Sequence, residues 1–234
     1  MFKPALILSL LLAAGLASAA DPVTDAMQKA YAPYRVALYK TNGKSQEECQ
    51  QAIAQAQENW NQITAQFGPS RPAPYDRDPA FAGSLAEVNK VYAKAAEEIG
   101  KNQLKEAHET LEHAREVMSE MRRRNQVIVF SDHMNAYHAQ MERVVIDGAK
   151  TLAEPNGMLQ LTAQAGALEY LAARLKSEAP AEYASNEEFS ALCKAIDKSV
   201  ADLKAALFAQ DAAKVNEAIG KIKGPYSKMF SKFG

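Results

Sequence analysis

Cysteine is nearly absent: the 234 residues hold two, Cys49 and Cys193. Their separation excludes a CxxC redox pair and a CxxCH haem attachment, so no haem is held covalently. In an exported chain an even count suggests one disulfide. A buried free thiol on a helix is the other reading, and both stay open. Glycine and proline are sparse, at 11 and 10 residues, which leaves long stretches with nothing to break a helix. Charge of one sign is also lacking, since 27 Lys and Arg are interspersed with 28 Asp and Glu. That mixture argues against a nucleic-acid partner. The one basic run, Arg122-Arg123-Arg124, falls where a helix is predicted to end, and the helix dipole favours cations there. No Gly-rich phosphate loop, GxSxG elbow or HExxH helix occurs. His108-Glu109-Thr110-Leu111-Glu112-His113 comes nearest the last. Its extra residue between Glu109 and His113 puts the two histidines on different helix faces. Without a nucleophile or a cofactor loop, the chain is not read as an enzyme.

Long apolar runs are missing as well. The one notable run, Ala5 to Ala14, follows Lys3 and precedes Ala17-Ser18-Ala19-Ala20. It is shorter than the roughly 20 apolar residues that span a bilayer. A basic start, a short apolar stretch and small residues together read as a secretory signal, 1–20, cleaved after Ala19 or Ala20. No cysteine follows for a lipid anchor. The expected mature protein is soluble, periplasmic and without a membrane span.

What remains is helical in pattern. Turn residues interrupt the apolar periodicity and cut the chain into about four helical hairpins, an all-α antiparallel bundle or short array. The first hairpin, within 21–68, pairs 23–40 with 46–67, and Ser45 with Glu48 reads as a capping box. A Pro-rich linker, 69–83, follows. The remaining hairpins, 84–234, complete the bundle: 84–99 with 103–123, then a pair from about 131 to 177 broken at Glu154-Pro155-Asn156-Gly157, then 186–208 with 212–232. Val127-Ile128-Val129-Phe130 is strand-like but has no predicted partner, so it reads as a buried connection. Ser131 or Asp132 is expected to cap the helix after it. The aromatic close of the chain, 222–234, is expected to dock on the body, so that cutting at Gly224 lowers the melting temperature by several degrees.

The first and last hairpins look like copies. Ala37-Leu38-Tyr39, Ala52-Ile53, Trp60 and Phe67-Gly68 match Ala206-Leu207-Phe208, Ala218-Ile219, Tyr226 and Phe233-Gly234. From the Ala-Ile pair onward the spacing is identical, which suggests an internal duplication. Trp60 and Tyr226 hold equivalent places and are read as core.

All four histidines and many of the methionines fall in one window, from His108 to Glu142. If the chain reverses near 125–130, the level of Glu112 and Glu116 on one helix faces the level of His138 and Glu142 on the next. Bundle metal centres are built this way, from side chains on facing helices. The apolar stripes put His108 and His138 at stripe edges and turn His113 away. His108, Glu112, His138, Met141 and Glu142 are therefore the candidate metal ligands. His113, Glu116, His133 and Met134 form an outer set, with His113 and Glu116 expected towards solvent or a neighbouring hairpin. Imidazole with carboxylate suits zinc, iron or manganese, and imidazole with thioether suits copper, which points to copper or iron.

At fold level the chain is similar to exported helical-bundle metalloproteins: the b-type and c-prime cytochromes and the imelysin-like iron-uptake proteins. His113-Ala114-Arg115-Glu116 has the HxxE form of the last. It departs from the c-prime type in lacking CxxCH, and from the b-type in having Met27 early but no late histidine. Two function classes follow. One is a non-enzymatic copper or iron carrier, store or sensor. The other is a helical-repeat scaffold or chaperone whose partner is another periplasmic or membrane protein, with no metal.

Overall fold

The computed structural model describes residues 21–43 and 45–234, and the signal peptide expected over 1–20 lies outside the described residues. Among these residues there are nine α-helices and no strand. They are α1 (Pro22–Lys40), α2 (Gln46–Phe67), α3 (Phe81–Gly100), α4 (Leu104–Arg124), α5 (Phe130–Leu152), α6 (Gly157–Ser177), α7 (Ala181–Ala184), α8 (Glu187–Phe208) and α9 (Ala212–Phe233).

Local chemistry sets several of the boundaries. The Ser45 hydroxyl accepts from Glu48 N–H while the Glu48 carboxylate accepts from Ser45 N–H, a complete capping box at the start of α2. Asp21, Asn186 and Asp211 cap α1, α8 and α9 through their side-chain oxygens. Asn102, Gln126 and Gln210 take positive φ just after α3, α4 and α8, the left-handed stop that ends many helices.

The helices close into two rings of four. In the first, α1, α2, α3 and α4 pack each on the next and α4 returns to α1; in the second, α5, α6, α8 and α9 do the same. The first ring encloses Trp60, Tyr34, Tyr92, Leu85 and Leu111, all buried. Trp60 donates from Nε1 to the Leu85 carbonyl at 3.0 Å. Trp60→Phe should therefore cost about 2 kcal/mol, part from the lost bond and part from the space left. A urea midpoint unchanged from wild type would show that Leu85 does not need the indole. The second ring stacks Tyr137 on Tyr226 at 5.5 Å. Gly148 lets α9 approach α5, since a Cβ there would lie 2.7 Å from Ile219 Cδ1.

Residues 69–83 are tied down rather than loose. Tyr75 is fully buried, its hydroxyl 2.7 Å from Thr24 Oγ1. The run 127–130 behaves differently from the buried connection expected. Ile128 is 72% exposed and α5 begins at Phe130. Asp132 lies inside the first turn, where its carboxylate accepts from Val129 N–H at 3.1 Å and pairs with buried Arg122 of α4. That pair draws the α5 start onto α4 and leaves Ile128 at the outside of the bend. Cys49 and Cys193 are both buried and unpaired, one in each ring. The docked terminus is seen directly: Tyr226, Met229, Phe230 and Phe233 are buried on α9. Arg35 of α1 donates to the carbonyl oxygens of Lys232 and Gly234.

Candidate functional site

Where the rings meet, α1 lies on α9 and side chains of α4 reach α5, Ser119 Oγ standing 3.0 Å from Asp132 Oδ1 and accepting from Asn135 at 3.1 Å. Four helices thus converge on a cavity of about 240 Å³. His108, Glu112 and Arg115 come from α4, His138 from α5, Lys223 and Tyr226 from α9, and Leu38 from α1. His108 of α4 and His138 of α5 thus line one space, although the two helices do not pack face to face as their short connection suggested: α4 packs chiefly on α3, and α5 on α6 and α9.

His108 is positioned through its far nitrogen. Nδ1 lies 3.1 Å from the Leu38 carbonyl and 2.9 Å from Thr41 Oγ1. A carbonyl only accepts, so Nδ1 carries the proton and a neutral ring keeps its lone pair on Nε2. Nε2 stands 3.7 Å from Glu112 Oε1. His138 stacks on Tyr226 at 5.3 Å, with its Nε2 3.4 Å from Glu142 Oε1. Burial, then the Arg115 guanidinium, push the His138 pKa down to about 4 against the pull of Glu142. Burial lowers His108 as well, more than Glu112 and the Leu38 bond raise it. Both rings are therefore neutral at pH 7, the form that binds metal.

Each carboxylate near the histidines already faces a cation. Arg115 Nη2 is 2.9 Å from Glu112 Oε2, and Lys223 Nζ is 3.4 Å from Glu142 Oε1. Glu142 lies outside the cavity lining, on an open groove that shares His108, Glu112 and Lys223 with it. Met141 and Met134, expected as thioether ligands, are fully buried in the second ring's core and do not line the cavity. They sit on the apolar stripe of α5, whereas His138 sits at its edge. His113 and Glu116 pair with each other at 3.2 Å on an exposed face of α4, with Glu87 of α3 at 3.9 Å from the opposite ring nitrogen. His133 lies outside the cavity lining, its Nε2 3.9 Å from Glu178 Oε2. Among the described residues no group of three or more His, Cys, Asp or Glu side chains is arranged to hold a metal ion.

Arg115, Lys223 and Leu38 are members of the site that local reading passed over. Tyr226 was visible as an aromatic in the repeat, but its reading as core covers only half its role. It is 3% exposed, donates to the Met134 carbonyl at 3.2 Å, and forms one wall of the cavity.

No known family model, curated protein or solved structure matches the chain. The chemistry of the cavity therefore rests on its own residues. No helix among the described residues is long and apolar enough to cross a membrane.

Proposed function

We propose that the chain is a non-enzymatic metal-binding protein of the periplasm, a copper or iron carrier, store or sensor, with His108 and His138 as its protein ligands. One observation carries this reading: two neutral imidazoles on different helices line one cavity. The His108 arrangement adds to it, because a metal-binding histidine characteristically donates its other N–H to a carbonyl or carboxylate, which fixes the ring and frees the ligating nitrogen. Glu112 lies within reach as a third donor if it leaves Arg115. Met134, Met141, His113, Glu116 and His133 drop out of the ligand set on their positions.

Titrating the mature chain with Cu(I), Cu(II), Fe(II) and Zn(II), in wild type and in a His108→Ala, His138→Ala variant, tests this. Near-stoichiometric binding by wild type that weakens by about 100-fold or more in the variant is expected, since even loss of a supporting group costs a metal site 10- to 100-fold. Binding indifferent to those histidines, or none, would overturn it. The partner-binding scaffold would then stand, favoured by the exposed Ile146, Leu159, Tyr170 and Phe208 on α5, α6 and α8.

A further inference from the structure

We infer that the exposed face of α6 and α8 docks on the face of α2 and α3 in a second copy, head to tail, repeating between chains the joint that holds the two rings together within one. The inference goes beyond the metal reading and does not depend on it.

The rings correspond helix by helix once the chain order is permuted. Trp60 of α2 donates to the Leu85 carbonyl of α3, and Tyr226 of α9 donates to the Met134 carbonyl of α5. Two aromatics at equivalent places in the first and last hairpins thus hold equivalent neighbours. From those bonds onward the buried stripes keep step. Leu85, Val88 and Tyr92 of α3 recur at identical spacing as Met134, Tyr137 and Met141 of α5. Leu111, Ala114 and Met118 of α4 recur as Ala165, Leu168 and Ala172 of α6. Helices α1 and α2 match α8 and α9, α3 and α4 match α5 and α6, and the order of neighbours around each ring is the same.

The joint between the rings therefore joins unlike faces. The first ring contributes α1 and α4, and the second contributes α9 and α5, the counterparts of α2 and α3. A contact of this head-to-tail kind leaves one face of each kind over. Among the described residues those are the α2/α3 face of the first ring and the α6/α8 face of the second.

The α6/α8 face carries the apolar groups such a contact needs. Leu159, Tyr170 and Phe208 are 71%, 61% and 68% exposed. Their counterparts Lys105, Glu116 and Tyr39 line the cavity between the rings or its outer groove. Two charges are thus exchanged for apolar side chains, and the tether explains why. Within one chain the α4–α5 connection holds the rings close, whereas two chains must offset lost translational freedom by burying more apolar surface. Ser119 and Asn135, hydrogen-bonded across the existing joint, correspond to Ala173 and Ala86. Both alanines are exposed, so the helices can meet there without stranding a polar side chain. Glu169 and Lys204 on the same face already pair with each other at 2.6 Å.

Sedimentation of the mature chain over a concentration series tests this, in wild type, a Tyr170→Glu, Phe208→Glu variant and an Ala86→Arg variant. All three positions are exposed, and each variant is checked for an unchanged melt. Wild type should self-associate as its concentration rises, and each variant should do so at least about tenfold more weakly. An equimolar mixture of the two variants should form a one-to-one pair and stop there, because each keeps only one competent face. The His108→Ala, His138→Ala variant should associate as wild type does, so failure of the metal reading leaves this one standing. A wild type that stays monomeric throughout would overturn the inference and leave the apolar face to a different protein. A dimer that Ala86→Arg does not weaken would overturn it too, since like α6/α8 faces would then be meeting each other.

Discussion

Asp78→Ala should lower the stability of the chain by about 2–3 kcal/mol, because it removes the acceptor that joins three segments of the first ring. The side chain is 3% exposed. Its Oδ2 accepts from Arg124 Nη2 and from Asn125 Nδ2, both at 3.0 Å at the end of α4, while Oδ1 accepts from Ala80 N–H at 2.9 Å at the start of α3. Burial alone would raise the pKa of this carboxyl, but the Arg124, Asn125 and Ala80 bonds outweigh it and the net shift is downward. A depressed pKa contributes stability that is present above the unfolded value, about 3.9, and is lost as the pH falls through the lower folded value. Thermal melts should fall by about 5–10 °C in the alanine variant at pH 7. In Asp78→Asn, which keeps an acceptor oxygen, the loss should be smaller and the fall of stability below about pH 4 shallower than in wild type. An alanine variant that melts with wild type would mean that water replaces the carboxylate at no cost.

The same residue marks where local reading stopped. A Pro-rich stretch reads as a linker, and nothing in its composition announces that Tyr75 and Asp78 will be buried at the end of a helix ring. Helix limits were legible wherever a side chain satisfies its own backbone, as Ser45 and Glu48 do, since such chemistry is complete within four residues. The facing of α4 and α5 expected from their short connection was not legible: each helix packs chiefly within its own ring, and the two meet through side chains such as Ser119 and Asn135. Closure of each ring, α4 onto α1 and α9 onto α5, joins residues far apart in the chain. No periodicity reports such pairs, so Arg115, Lys223 and Leu38 gave no signal as cavity residues. Met141 failed for a subtler reason. One helix turn supplies both the core stripe and its edge, and spacing alone placed a buried thioether beside His138 without saying that the two side chains point to different spaces.

Deleting residues 225–234 should have the largest effect of all. Tyr226, Met229, Phe230 and Phe233 are each less than 9% exposed, and burying a side chain of this size is worth roughly 1.5–3 kcal/mol. Together that is of the order of 6–12 kcal/mol, comparable with the whole stability of an ordinary domain, about 5–15 kcal/mol. The second ring should therefore lose its cooperative melt rather than shift by the few degrees that an aromatic tail alone would suggest. Tyr226 separates the causes. Tyr226→Phe removes only the bond to the Met134 carbonyl and should cost about 1 kcal/mol. Tyr226→Ala also removes the ring stacked on Tyr137 and His138 and should cost about 3–5 kcal/mol. Because the same ring walls the cavity, the phenylalanine variant should bind metal as wild type does, whereas the alanine variant should bind it more weakly even under conditions where it is fully folded. Equal metal affinity in a folded alanine variant would free the imidazoles from any dependence on α9, and would place the binding step wholly on His108 of α4 and His138 of α5.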